Sequence, residues 1–173
     1  MKLKVWSPLA PLVLGVAALV FGLDQTHKWW MINVFDIEAQ SPVRLTSFFD
    51  LVMVWNRGVS YGLLTTHTQL LLILLSLGIT LCLWIWACQM RHGLGAMALA
   101  LVIGGALANA LDRAVRGAVA DFFHFHYGNF SWYVFNLADV AIVAGVGLLL
   151  YDSVFESGAG DRRGKAGIQR EEL

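Results

Sequence analysis

Six polar side chains stand where a lipid-soluble sequence has little reason to carry any. Asn109, Asp112, Arg113, Asp121, Asn136 and Asp139 fall within residues 104–145, a stretch otherwise apolar enough to lie in or beside a bilayer. Taking a carboxylate out of water costs several kcal/mol, roughly 3 at mid-helix on insertion scales, so acids in such a setting are candidate functional groups. Asp121 and Asp139 have no cation beside them in sequence and are expected to form a water-activating pair. Two carboxylates held close cannot both ionise easily, so one titrates high and its partner low. Near neutrality such a pair takes a proton from water while giving one to the carbonyl that the water attacks. The chemistry needs neither a metal nor a covalent intermediate. Nearby amides would hold an extended peptide backbone, and Arg113 would bind a carbonyl or orient an acid.

The elements that position these residues follow from composition. The 173-residue chain is 58% hydrophobic and 14% charged, where a soluble domain carries about a quarter charged residues. Four apolar runs approach the length of about 18 residues that reads as a membrane span. They lie near residues 8–30, 63–88, 94–111 and 134–151. The fold class is therefore an all-α polytopic membrane protein of four transmembrane helices in one domain over residues 1–153. Residues 154–173, Gly-rich and charged, are expected to be a disordered cytoplasmic tail. Residues 34–62 contain the β-prone run 51–55, which predicts a small extramembrane β-ribbon or sheet. The amphipathic, aromatic stretch 115–133 predicts a short periplasmic helix or loop at the outer membrane face. Net charge is zero, which gives nucleic acid no purchase. Cys82 and Cys88, six apart on one helix, fit buried inert thiols rather than a disulfide or metal site.

Topology makes a test that no single motif makes. Lys2, Lys4, Arg91, Arg162, Arg163 and Lys165 on one side, against Arg44, Arg57, Arg113 and Arg116 on the other, give a modest bias that marks the first side as cytoplasmic, with both termini inside. Asp24 and Lys28 then lie at the outer end of span one, and Asn109, Asp112 and Arg113 at the outer end of span three. Asn136 and Asp139 begin span four from the outside, while Asn56 and Asp121 belong to the outer loops. Polar residues from five segments converge on one membrane face. Asp24 and Lys28 share a helical face, as do Asn109, Asp112 and Arg113, and as do Asn136 and Asp139. For Asp24 with Lys28, and for Asp112 with Arg113, a buried polar network that holds the bundle is the expected role.

Five blocks now stand in order: Asp24-x-x-x-Lys28, Asn56-x-Gly-x-Ser-Tyr-Gly62, Gly104-Gly-Ala-x-x-Asn109-x-x-Asp112-Arg113, Val119-x-Asp121-Phe122 and Phe135-Asn136-x-Ala-Asp139. Together they resemble the bacterial lipoprotein signal peptidases, or signal peptidase II, over about residues 9–150. Ala108, Tyr61 and the pair Thr26-His27 depart from the usual family residues. The resemblance implies an intramembrane aspartic endopeptidase that removes the signal peptide of diacylglyceryl-modified prolipoproteins just before the lipidated cysteine. It implies Asp121 and Asp139 as the catalytic dyad, a substrate cleft lined by Asn56, Asn109, Arg113 and Asn136, and support from Asp24, Lys28 and Asp112. It further implies residence in the inner membrane with the site toward the periplasm, no cofactor, and membrane lipids and prolipoproteins as partners. The chain is expected to be monomeric.

Rival readings are weaker on the residues themselves. Gly58-x-Ser60-x-Gly62 matches a nucleophile elbow, but that motif needs a strand–turn–helix setting in a sheet. A Ser60–Lys28 dyad would need a neutral lysine, and Asp24 keeps Lys28 charged. His124-x-His126 with Asp121 offers metal ligands without a metalloprotease helix motif. A proton-coupled transporter would string its acids across the membrane and show inverted repeats, and neither pattern is present. A scaffolding role leaves the unpaired acids without a purpose.

Overall fold

The computed structural model describes residues 5–58 and 66–171, with side chains described over 5–58 and 69–154. Nine elements follow in chain order: α1 (Ala10–Asn33), α2 (Ile37–Gln40), β1 (Val43–Arg44), β2 (Phe49–Asn56), α3 (Thr66–Ala87), α4 (Gly93–Arg116), β3 (Val119–Tyr127), β4 (Phe130–Ser131) and α5 (Leu137–Glu171). Four helices have segments long and apolar enough to cross a membrane: Ala10–Asn33, Gln69–Ala87, Gly93–Arg116 and Leu137–Val154. The backbone of α5 continues helically past its span to Glu171, through the stretch whose composition reads as a tail. Ser60 and Tyr61, named in the serine readings and the second block, lie outside the described residues.

Helix α4 is the axis of the bundle. Of its span 61% is buried, against at most 22% for the other three. Lipid tails are as apolar as leucine, so helices in a membrane gain from close approach more than from hydrophobic burial. A Cβ at Gly104 would stand 2.6 Å from Ala17 O of α1, one at Gly105 2.5 Å from Ala138 O of α5, and one at Gly145 2.6 Å from Ala98 O of α4. No side chain fits there, so these glycines set how near α1 and α5 come to α4. Gly105 bears most directly on the candidate site because Ala138 adjoins Asp139. Gly105→Ala is expected to push the start of α5 outward, lower the melting temperature in detergent and weaken activity together. Unchanged thermal stability would show that the helices are not held at this distance.

Outside the bundle lies one antiparallel sheet in the order β1-β2-β3-β4. The expected ribbon at 51–55 is thus part of a four-stranded sheet, and the short helix α2 falls at Ile37–Gln40, where none is expected. The stretch 115–133 departs from expectation: most of it is strand β3 and the β3–β4 hairpin. Its run His124-Phe125-His126-Tyr127 alternates with the period of a strand. Cys88 is buried as expected, whereas Cys82 is exposed on α3, on a surface that in a membrane faces lipid.

Candidate active site

The polar residues converge at the end of the bundle where α1 and α4 finish, α5 begins and the sheet is attached. Asp121, 1% exposed, is carried by β3. Leu51 of β2 faces Phe123, yet Val54 faces Asp121, so β2 spends three steps where β3 spends two. That extra residue is a β-bulge, and the backbone N–H it frees at Met53 donates to Ser41 Oγ at 3.1 Å. Continuing the Leu51 register would set Met53 opposite Asp121 and turn Asn56 to the far face, because side chains alternate along a strand. With the bulge, Asn56 shares the Asp121 face, and its Nδ2 donates to Asp121 Oδ2 at 3.0 Å. Asn56 Oδ1 accepts from Gly58 N at 2.9 Å. Gly58 has φ 91°, a backbone conformation that glycine adopts without strain, which accounts for the Asn-x-Gly spacing.

The register can be tested by two changes with opposite outcomes. An alanine inserted between Val54 and Trp55 would send Asn56 to the far face and is expected to lower cleavage about 100-fold, the cost of an ångström-scale misplacement. Deleting Val52 removes the bulge but keeps Leu51 and Val54 on their partners, so it should cost far less. Equal losses would show that face selection is not what the bulge supplies.

Asp139 is held by the start of α5. Asn136 stands just before the first helical residue, where its Oδ1 accepts from Asp139 N at 3.0 Å and Asp139 Oδ2 accepts from Asn136 N at 3.1 Å. This reciprocal pair is a capping box, which satisfies two orphan amides and locks the Asp139 carboxylate in place. Two asparagines then join the acids. Asn136 Nδ2 donates to Asp121 Oδ1 at 2.6 Å and to Asn109 Oδ1 at 3.1 Å. Asn109 Nδ2 donates to Asp139 Oδ1 at 2.8 Å. Asp121 and Asp139 thus belong to one hydrogen-bonded chain through Asn136 and Asn109, and Asn136 touches both.

Behind the asparagines sits an ionic core with no access to solvent. Lys28 Nζ lies 2.8 Å from both Asp24 Oδ2 and Asp112 Oδ2, all three side chains being 0% exposed. The same ammonium donates to Asn109 Oδ1 at 3.1 Å, so Asn109 Oδ1 spends both lone pairs, on Lys28 and on Asn136. Asp24 Oδ1 accepts from Ala138 N at 2.9 Å, tying α1 to the first turn of α5. Asp112 does not pair with Arg113 as its sequence neighbour suggested. Its cations are Lys28 and Arg116, the latter at 2.6 Å. Adjacent helical residues point about 100° apart, whereas i and i+4 share a face. Arg113 turns instead toward Asp121 and Asp139. Its Nη1 donates to Asn109 O at 3.2 Å, its field reaches Asp139 and Asp121, and its Nε is buried with no hydrogen-bond partner among the described residues.

Burial pushes the Asp121 carboxyl up from an ordinary 3.8 to about 6, the nearby Asp139 charge adding to the rise, while hydrogen bonds from Asn56 and Asn136 and the Lys28 charge oppose it. Gln25 was not singled out by sequence, yet its Nε2 donates to Asp112 Oδ1 at 3.1 Å and Ala108 O at 3.2 Å. Arg116, four residues after Asp112 in acid-first order, carried a signal that spacing could have found. His124 and His126 lie two apart on β3 and so share the face opposite Asp121. His124 Nε2 meets Ser131 Oγ at 2.7 Å and His126 Nε2 meets Asp50 Oδ2 at 3.0 Å. Among the described residues no group of three His, Cys, Asp or Glu could hold a metal.

Comparison with known proteins identifies relatives of the whole chain. Residues 16–155 match the family model described as signal peptidase (SPase) II. A protein of Methylocella silvestris named lipoprotein signal peptidase is 51% identical over 163 residues, covering 91% of this chain and 95% of the relative. A namesake from Beijerinckia indica subsp. indica is 51% identical over 157 residues, covering 88% and 94%. Among solved structures, a bacterial membrane enzyme determined by the in meso method superposes with a TM-score of 0.71 at 21% identity, covering 88% of this chain and 97% of that one.

Proposed function

Since the chain belongs to the signal peptidase II family, a family of lipoprotein signal peptidases, we propose that it is an aspartic endopeptidase acting at a membrane surface. Its substrates are diacylglyceryl-modified prolipoproteins, cut just before the lipidated cysteine. The observation that carries this reading is the chain Asp121–Asn136–Asn109–Asp139, which links the two acids through shared amide partners. Asp121, whose carboxyl titrates high, holds the shared proton, and Asp139 is the base. Asp139 takes a proton from water as the new C–O bond forms, and Asp121 gives its proton to the carbonyl oxygen. Collapse of the tetrahedral intermediate breaks the C–N bond, the leaving amine taking up a proton from Asp139 while one hydroxyl of the intermediate returns its proton to Asp121 as the C=O bond re-forms. Arg113 Nε, a buried donor with no partner among the described residues, is the group assigned to a substrate carbonyl. Asn56, Asn109 and Asn136 fix the acids and border the cleft. Asp24, Lys28 and Asp112 hold those asparagines and α5 in place.

Residues 1–153 form the peptidase domain and 154–173 a cytoplasmic tail. The enzyme is a monomer of the bacterial inner membrane, with both termini cytoplasmic and the site toward the periplasm. Incubating purified protein with one precursor in detergent, lipidated or not, tests the function. Leader release from the lipidated form alone is the expected result, and release from neither form would overturn it.

The proton on Asp121 also has a stability signature. A carboxyl whose folded pKa is raised binds more protons in the native than in the unfolded state between 3.8 and about 6. The stability it contributes is present below 3.8 and is lost as pH rises through about 6. Over that window wild type should lose on the order of 3 kcal/mol relative to Asp121→Asn, which cannot titrate. The difference between the two denaturation curves from pH 4 to 7 is the readout. A constant difference would show that folding does not raise the Asp121 carboxyl.

A further inference from the structure

We propose that the recess lined by Trp55, Arg57, Arg116 and Ala118 binds a phosphate oxyanion, the headgroup of an anionic membrane phospholipid. The recess has a volume of about 450 Å³, room for a headgroup, and two of its four lining residues are guanidinium side chains. Arg116 is the last residue of the α4 span, so the recess lies at the depth where a bilayer places its phosphates. An indole bordering the site suits that interface, and Trp55 is oriented there by its Nε1, which donates to Glu38 Oε1 at 3.0 Å.

Charge makes the recess selective for an anion. Lys28 and Arg116 are balanced by Asp24 and Asp112, with which they pair at 2.6–2.8 Å. Arg57 has no ion-pair or hydrogen-bond partner for its side chain among the described residues, so its charge is left uncompensated. Both cations stand on fixed backbone or fixed partners. Asp112 holds the Arg116 guanidinium, and the Arg57 carbonyl accepts from Gln69 Nε2 at 2.6 Å beside the Asn56–Gly58 turn. A planar guanidinium fork matches a tetrahedral oxyanion, and the free Arg57 fork stands beside the one that Asp112 holds. The position has a consequence for the enzyme, since Arg57 follows Asn56, the partner of Asp121. A lipid seated on Arg57 would brace the strand end that positions the acid.

The test uses the full chain in dodecyl maltoside, incubated with dioleoyl phosphatidylglycerol or dioleoyl phosphatidylcholine, with retained lipid counted by native mass spectrometry. Phosphatidylglycerol should be retained in preference to phosphatidylcholine. Arg57→Gln should retain it about fivefold less, the weight of one arginine at a charged surface. Arg57 is exposed and makes no side-chain bond among the described residues, so this variant is expected to keep its fold. Arg44→Gln, an exposed arginine paired with Asp50 on the far strand, should retain lipid as wild type does. Equal retention by wild type and Arg57→Gln would overturn the site. Displacement of phosphatidylglycerol by millimolar inorganic phosphate would overturn its assignment to a lipid in favour of a free anion, and displacement only by an acidic peptide would overturn it in favour of a protein ligand.

Discussion

Asp121→Asn and Asp139→Asn should each lower the rate of leader cleavage by a factor between about 100 and 10,000, the worth of a positioned acid or base, while lipidated precursor still binds. Neither change is innocuous to the fold. Both oxygens of Asp121 accept from amides, Asn56 Nδ2 and Asn136 Nδ2, and both oxygens of Asp139 accept from Asn109 Nδ2 and Asn136 N. An amide at either position sets a donor against a donor, at a cost of about 1–3 kcal/mol. Melting temperature and precursor binding must therefore be measured beside the rate. Because the acids act as a unit, the double variant should be no slower than the slower single variant. Normal turnover by either single variant, in a protein shown to be folded, would remove the dyad. Independent, multiplying losses would mean that the two acids serve different steps.

How far the sequence announces this site depends on the kind of information each residue carries. The four spans are legible because hydrophobic length and composition decide them, with no need of a partner. The convergence of Asp24, Asn56, Asn109, Asp112, Asp121, Asn136 and Asp139 is legible because topology alone brings span ends and outer loops to one face. The pairings are less so. Sequence adjacency pairs Asp112 with Arg113, but helical geometry turns adjacent residues apart and gives Asp112 to Lys28 and Arg116. Hydropathy starts the last helix near residue 134, which puts Asn136 inside it. The helix begins at Leu137, and Asn136-x-x-Asp139 is its cap, a pattern readable only once the boundary is right. The bulge in β2 had no signal, because Leu51-Val-Met-Val-Trp55 contains no glycine or break and a strand's register is set by its partner. Strand β3 was hidden for a different reason. Its first four residues are buried on both faces, which erases the alternation that identifies an exposed strand.

Lys28→Met should be the most damaging substitution for stability. The ammonium is wholly buried, 2.8 Å from Asp24 and 2.8 Å from Asp112, and without it two carboxylates remain in a volume that water does not reach. Breaking a buried ion pair by removing one partner costs about 3–5 kcal/mol, far more than an intact pair contributes, because the survivor stays charged and unsolvated. The loss would fall on the bundle, since Asp24 anchors the first turn of α5 through Ala138 N. A second substitution separates charge from chemistry. Lys28→Met with Asp24→Asn restores neutrality, one remaining acid balancing Arg116, so much of the lost melting temperature should return. Activity should not return with it. Asn109 Oδ1 would still lack the Lys28 donor that fixes its amide against Asp139, and cleavage should stay about 10- to 100-fold below wild type. A double variant as unstable as Lys28→Met would mean that the lysine acts by packing rather than charge, and one with full activity would show that Asn109 needs no support from α1.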